Sequence, residues 1–140
     1  MKPLIVALDV ETEKDALQWV RLLSPWVDVF KVGPVLFLKG GGPLLKSMRK
    51  QGAEIFLDLK FHDIPSVVKR AVEQAGAWGV YSVTLHAAGG QDMMRQAASV
   101  RKRPKLWGVT VLTSLDESDL RASGVDRSVP DQVVRLAEQA

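Results

Sequence analysis

The 140-residue sequence predicts one α/β domain, residues 1–140, of the (β/α)8 barrel type, with about five βα units and parallel strands present in this chain. Short apolar runs alternate with longer amphipathic ones, a pattern typical of parallel strands covered by helices. Polar residues recur at the carboxyl ends of the predicted strands. A doubly wound sheet concentrates its site at one switch point, whereas a barrel takes site residues from many strand ends, so this distribution favours the barrel. The polar strand-end residues are Asp9, Lys31, Asp58, Lys60, His86, Thr113 and Ser114.

The spacing of apolar residues, and residue types typical of helix ends, predict the first two βα units. Residues 3–10 form an apolar β-type run, and residues 12–26 follow with apolar side chains at helical spacing. Thr12 precedes an acidic first turn, which predicts an N-cap. Residues 27–33 predict the second strand, and residues 43–52 predict a helix that ends at a glycine.

The later βα units follow the same pattern, and Pro65 lies in the first turn of the third predicted helix. The three glycines at residues 40–42 lack the Lys-Ser/Thr of a phosphate loop, so they predict a flexible turn between helices. The remaining predicted strands cover residues 53–61, 80–87 and 105–114, and the remaining helices cover residues 64–79, 89–103, 116–124 and 129–140.

The predicted barrel is incomplete. A (β/α)8 barrel typically takes about 250 residues, so its C-terminal strands are expected to be absent from this chain. Closure removes the edges of a sheet, and five strands alone would leave two edges open to pairing. We therefore expect a longer natural chain or a second chain to supply the missing strands.

Composition argues against several classes of protein. The chain has no cysteine, which excludes a disulfide framework and a thiolate metal site. Its net charge is +3, but the basic residues are scattered apart from residues 101–105, at a predicted helix end, so no nucleic-acid partner is predicted. No apolar stretch is long enough for a membrane span or a signal peptide. We therefore expect a cytoplasmic protein without a membrane partner.

Ionisable side chains cluster where the third predicted strand ends. Residues two apart in a strand share a face, so Asp58 and Lys60 are expected to point the same way. Lys31 lies at the end of the neighbouring predicted strand, and Asp63 follows in the loop. An ion pair that holds a strand end would account for a lone Asp-x-Lys pair. Two cations and two anions at the carboxyl face of a barrel favour a catalytic site instead.

Such an array would hold a lysine protonated, ready to donate a proton to a developing carbanion. It would also place a carboxylate against an anionic substrate group, an effect whose contribution to rate is contested. His62 alternates away from this face and is predicted to be structural or loop-facing. His86 is predicted to be a hydrogen-bonded strand-end residue, since no second His or Cys lies at metal-ligand spacing. No metal site is therefore predicted.

Residues 58–65, Asp-Leu-Lys-Phe-His-Asp-Ile-Pro, resemble the active-site signature of the orotidine 5'-phosphate decarboxylase family. Residues 6–10, 30–33, 85–90 and 109–114 resemble the family in the same order and spacing. The resemblance implies a lyase that converts orotidine 5'-phosphate to UMP in de novo pyrimidine biosynthesis. It also implies that the enzyme uses no metal and no organic cofactor, and that it is a homodimer with shared active sites.

The resemblance implies a role for each charged residue. Lys60 would donate a proton to C6 of the pyrimidine after CO₂ leaves, and Asp58 would lie beside the departing carboxylate. Lys31 would hold Asp58 and reach the ribose hydroxyls, and Asp9 would bind ribose. Asp63 would cross the dimer interface and complete the site of the partner.

The resemblance also implies further substrate contacts and one departure. Ile64 and Pro65 complete the signature, and Thr113 matches a ligand-contacting position on the fifth strand. Many relatives carry a threonine at the position of Val67, and valine cannot make the corresponding hydrogen bond to ribose. The phosphate-binding residues of the family lie on later strands, so this chain alone is expected to be a poor catalyst.

Two other functions remain open on the residues alone. A related barrel could be a Mg²⁺-dependent sugar-phosphate aldolase or decarboxylase that uses Asp58 and a neighbouring acid to hold the metal. The absence of a second acid beside Lys60 argues against that function. A non-catalytic fragment could instead act as an assembly partner for the missing strands, because its sheet edges would be open.

Overall fold

The computed structural model describes residues 2–140, which contain a single five-stranded sheet in the order β1-β2-β3-β4-β5. Each strand pairs in parallel with the next one in the chain, so every connection is a crossover, as predicted. Strands β1 and β5 form the two edges. The strands are β1 (Ile5–Ala7), β2 (Val29–Val32), β3 (Glu54–Phe61), β4 (Ser82–His86) and β5 (Lys105–Val109).

Helices connect the strands and cover one face of the sheet. Thr12 caps the first helix as predicted, because its Oγ1 accepts a hydrogen bond of 3.1 Å from the Asp15 backbone N–H. The helices are α1 (Glu13–Leu23), α2 (Pro34–Lys50), α3 (Pro65–Ala77), α4 (Gln91–Ala98), α5 (Glu117–Ala122) and α6 (Val129–Gln139), and a short 3₁₀ helix spans Ala87–Gly89. None of these helices is long and apolar enough to cross a membrane.

Helix α2 is longer than the sequence predicted. The predicted helix began at Pro43, whereas α2 begins at Pro34 and is interrupted by a kink. The kink lies at Gly41, whose φ of 49° and ψ of −149° are not helical. Pro43 lacks the N–H that a continuous helix would use, which accounts for a break at this point. The glycines thus join two helical segments, as expected, but within one kinked element.

The two faces of the sheet have different environments. On the helix-covered face, side chains of β2, β3 and β4 are fully buried in the core. On the other face, Lys31 is in register with Phe56, and Thr84 is in register with Trp107. Phe56 and Trp107 stack with ring centroids 4.9 Å apart, and Trp107 remains 42% exposed. The face that carries the candidate site is therefore open to solvent towards β5. The fully buried side chains of the covered face are Phe30, Val32, Ile55, Leu57 and Val83.

Candidate active site

Four charged side chains form a connected array at the carboxyl edge of the sheet. Asp58 near the end of β3 is 8% exposed, and its Oδ1 and Oδ2 lie 3.0 Å and 2.9 Å from Lys60 Nζ. Lys31 Nζ on β2 lies 3.9 Å from Asp58 Oδ2 and 3.9 Å from Oδ1 of Asp9, which follows β1. The structure thus brings together the three residues expected to meet, and it joins Asp9 to them.

A bulge at the end of β3 positions Lys60. The pairing of β3 with β4 shifts register between Leu57 and Phe61. Lys60 has a φ of 49°, in the left-handed region that a residue with a Cβ rarely adopts. Such backbone strain is common at functional sites, and bulges there re-aim a side chain. Regular strand alternation therefore does not extend to Lys60, although its ammonium reaches Asp58 as expected.

Thr84 on β4 holds both partners of the ion pair. Its side-chain hydroxyl accepts a 2.8 Å hydrogen bond from the Lys60 backbone N–H and donates a 2.9 Å hydrogen bond to Asp58 Oδ1. Thr84 is 5% exposed, so these bonds are shielded from water. The sequence did not single out Thr84. The only sequence signal was its position two residues before the strand-end His86, which places both on one face of β4.

The array keeps Asp58 ionised. Burial would raise the pKa of Asp58, but the hydrogen bonds from Lys60 and Thr84 and the positive charge of Lys31 outweigh it, so the pKa is lowered from its ordinary value of 3.8. A carboxylate at this position therefore carries its negative charge throughout the neutral pH range.

We expect Thr84→Val to raise the pKa of Asp58. Valine has nearly the same shape but cannot donate the hydrogen bond that stabilises the charged carboxylate. A carboxyl-carbon NMR titration of the 140-residue chain measures this pKa. Thr110→Val is the matched control, because the Thr110 side chain makes no hydrogen bond among residues 2–140. An unchanged Asp58 pKa in Thr84→Val would contradict the assigned contact.

The same variant should change the pH dependence of stability. A carboxylate whose pKa is lowered on folding stabilises the fold above the unfolded-state pKa, and this contribution disappears as the pH falls through the folded-state pKa. Thr84→Val should therefore lower the melting temperature more at pH 7 than at pH 2.

Two histidines lie beside the array. The rings of His62 and His86 have centroids 5.2 Å apart, tilted by 34°. His62 is exposed in the loop after β3, in line with the loop-facing prediction. His86 ends β4, and its ring makes no hydrogen bond with another residue among residues 2–140, so the predicted hydrogen bond stays a prediction. Burial, followed by the nearby charges of His62 and Lys60, lowers the pKa of His86 below 6.5.

The other predicted contact residues lie outside this array. Asp63 is exposed and forms no ion pair among the described residues; its Oδ1 accepts a 2.6 Å hydrogen bond from the Ile64 backbone N–H. Ile64 is 63% exposed, and Pro65 is the first residue of α3. Thr113 lies exposed in a turn beyond the end of β5 at Val109, so its prediction as a strand residue was wrong. The last residue of β4, His86, pairs with Val109, so residues after Val109 have no partner on β4.

Sequence comparisons identify relatives of the whole chain. The model of the Orotidine 5'-phosphate decarboxylase / HUMPS family matches residues 2–140. A curated orotidine 5'-phosphate decarboxylase of Neisseria meningitidis serogroup C is 46% identical over 99% of this chain and 58% of its own length. One from Syntrophotalea carbinolica is 47% identical over 97% of this chain and 59% of its own length. The chain therefore spans less than two thirds of these relatives.

Solved structures share the fold. An orotidine 5'-phosphate decarboxylase from Lactobacillus acidophilus superposes with a TM-score of 0.85 and 35% identity, over 99% of this chain and 66% of that one. The Methanocaldococcus jannaschii enzyme, solved in complex with the inhibitor BMP, has a TM-score of 0.81 and 25% identity, over 100% of this chain and 63% of that one. These similarities confirm the predicted barrel class, of which this chain forms a five-stranded part.

Proposed function

The chain belongs to the orotidine 5'-phosphate decarboxylase / HUMPS family, and we propose that it carries the decarboxylation chemistry that converts orotidine 5'-phosphate to UMP in pyrimidine biosynthesis. The observation that carries this proposal is the array of Asp9, Lys31, Asp58 and Lys60 at the carboxyl edge of the sheet. Enzymes with barrel folds place their chemistry at that edge. The relatives named decarboxylases are similar over nearly the whole of this chain.

The array suits loss of CO₂ followed by protonation. Asp58, ionised by its neighbours, would lie against the substrate carboxylate and disfavour its retention. When the C6–carboxylate bond breaks, the electron pair stays on C6 and CO₂ leaves. The Lys60 ammonium then transfers a proton to C6, becomes a neutral amine and recovers a proton from solvent. A positioned general acid of this kind contributes about 10²–10⁴-fold to rate.

The remaining residues are proposed to bind the rest of the substrate. Lys31 and Asp9 form the outer part of the array, and Asp9 is exposed enough to reach ribose hydroxyls. The exposed carboxylate of Asp63 is free of ion pairs in the described chain, which supports a role across a homodimer interface. Val67 cannot supply the ribose hydrogen bond that a threonine would make. The proposed location of this biosynthetic enzyme is the cytoplasm.

The proposed chemistry uses no metal and no organic cofactor. Lys60 Nζ lies within 3.0 Å of both oxygens of Asp58, so a divalent cation at Asp58 would have to displace an ammonium. Mg²⁺ favours oxygen ligands and is repelled by a nearby cation. The geometry thus favours decarboxylation over a Mg²⁺-dependent reaction of a sugar phosphate.

A chimaera tests the proposal. In it, this chain is followed by the C-terminal part of the Neisseria meningitidis relative that the chain does not span. We expect loss of orotidine 5'-phosphate absorbance, formation of UMP by mass spectrometry, and no effect of EDTA. The unmodified relative is the positive control. A folded chimaera that leaves orotidine 5'-phosphate unchanged, or that acts on a sugar phosphate only with Mg²⁺, would contradict the proposal.

A further inference from the structure

A second candidate site lies at the opposite end of the sheet from the Asp58 array. Helix α2 ends at Lys50 and helix α3 ends at Ala77, and each leads into the amino end of the next strand. A cleft of about 830 Å³ lies between the ends of these two helices. This volume is in the range of small-molecule sites, about 300–1,000 Å³. The lining residues are Gly42, Pro43, Lys46, Arg49, Lys50, Ala77 and Trp78.

The cleft concentrates positive charge that the protein does not neutralise. Its lining contains Lys46, Arg49 and Lys50 but no acidic residue. None of these three cations forms an ion pair among residues 2–140. A concave surface of one sign raises the local concentration of oppositely charged ligands. The cleft is therefore electrostatically suited to an anion.

Two glycines leave room for the donors of the cleft. Gly79 has a φ of 68°, and a Cβ there would collide with Arg49 Nη1. Arg49 Nη1 instead donates a 3.3 Å hydrogen bond to the Trp78 carbonyl oxygen, which holds the guanidinium at the cleft. At Gly42, a Cβ would lie 3.1 Å from Trp78 Nε1, so glycine lets α2 approach the indole.

Trp78 offers both a flat surface and a free donor. Its ring packs against Phe37 with centroids 5.5 Å apart, which anchors the indole. Its Nε1–H donates no hydrogen bond within the described chain and is not fully buried. Trp78 is half-buried and lines the cleft, so the exposed part of its indole can contact a planar ring there.

The position of the cleft separates it from the open parts of the sheet. Helix α2 connects β2 to β3 and helix α3 connects β3 to β4, all strands in the middle of the sheet and not at its edges β1 and β5. Strands added at either edge would leave this cleft uncovered. Cations in the last turn of a helix also stabilise its dipole, which would account for Arg49 and Lys50. The helix dipole does not account for Lys46, one turn earlier, or for the free N–H of Trp78 at the cleft.

We propose that this cleft binds a nucleoside triphosphate, with the phosphates on the three cations and the base against Trp78. Several separate cations favour a ligand with several phosphate groups, and guanidinium and ammonium groups both bind phosphate oxygens. The planar face of Trp78 selects a ligand that also carries an aromatic ring. The site is independent of the decarboxylation chemistry, because it lies at the other end of the strands.

Isothermal titration calorimetry with ATP, UTP and inorganic triphosphate tests the proposal, on the 140-residue chain and on the chimaera in parallel. Lys46→Gln combined with Lys50→Gln should weaken nucleotide binding by about tenfold or more. The matched control is Lys14→Gln combined with Arg21→Gln, which removes the same charge from a separate cleft, and Arg21 likewise lies in the last turn of its helix. That control should change the affinity by less than about twofold.

Trp78→Phe tests the contact with the base separately from the contacts with the phosphates. Phenylalanine preserves the packing on Phe37 but loses the N–H and part of the stacking surface, so nucleotides should bind more weakly while inorganic triphosphate is unaffected. The proposal would be overturned by absence of nucleotide binding to both folded proteins. It would also be overturned by equal losses in the two charge variants, or by inorganic triphosphate binding as tightly as the nucleotides.

Discussion

Lys60→Ala should lower kcat of the chimaera for orotidine 5'-phosphate by about 10²–10⁴-fold. Its ammonium is the cation in direct contact with Asp58, at 2.9 Å, and the proposed source of the proton for C6. Alanine removes the proton donor and leaves Asp58 with only the distant charge of Lys31, at 3.9 Å. Initial rates at saturating substrate measure the change, and the pKa of Asp58 should rise in the same variant.

The control for this variant is Lys105→Ala. Lys105 lies at the amino end of β5, where its Nζ donates a 2.7 Å hydrogen bond to the Tyr81 hydroxyl. It is therefore a partnered strand lysine at the end of the sheet away from the array. Its replacement should change kcat by less than about threefold. A Lys60→Ala chimaera that folds normally and keeps more than about a tenth of the wild-type kcat would place the proton donor elsewhere.

The charged array was largely predictable, although strand periodicity accounts for only part of it. A carboxylate and an ammonium two residues apart share a face, and the ends of adjacent parallel strands meet at one edge. These two rules predicted that Lys31, Asp58 and Lys60 lie together. The bulge breaks the alternation at Lys60, but the lysine side chain still reaches Asp58. The assigned roles of these residues stay predictions, as does the role of Asp63 across a dimer interface.

Thr84 and the bulge could not be predicted in the same way. A threonine inside an apolar strand looks the same in sequence whether its hydroxyl forms a hydrogen bond or its side chain only packs against neighbours. The left-handed backbone of Lys60 is equally invisible, because such conformations usually carry glycine or asparagine. Both features depend on pairing with β4, a contact between residues more than 20 positions apart in the chain.

The errors at element ends also have tertiary causes. The apolar pattern of residues 105–114 predicted one long strand, but β5 ends at Val109, which pairs with His86 at the end of β4. Beyond His86 the chain turns into the 3₁₀ helix, so a longer β5 would have no partner on that side. Likewise, α2 extends across its glycines because both of its halves contribute buried residues to the same core. Local helix propensity carries no information about such tertiary packing.

The 140-residue chain alone should decarboxylate orotidine 5'-phosphate at least roughly 10⁴-fold more slowly than the chimaera. The sheet face that carries the array is open to solvent towards β5, where Trp107 is 42% exposed, and Ile5 on β1 is also 42% exposed. Water on this face weakens the electrostatic interactions on which the array depends. Parallel progress curves on both proteins, with intact mass confirming their lengths, measure the difference; comparable rates would show that the five strands suffice.

Adding the separately produced C-terminal part of the Neisseria meningitidis relative should then restore part of the activity. The edges β1 and β5 present unpaired backbone groups, and complementary strands can pair with them. Restoration that requires Lys60 in the N-terminal chain would show that the chemistry lies on the five strands and that the added strands supply substrate binding and exclusion of water. Two results would show that the array of this chain is not the catalytic centre. One is activity of the added part by itself. The other is equal activity of the mixtures that contain the Lys60→Ala chain and the unmodified chain.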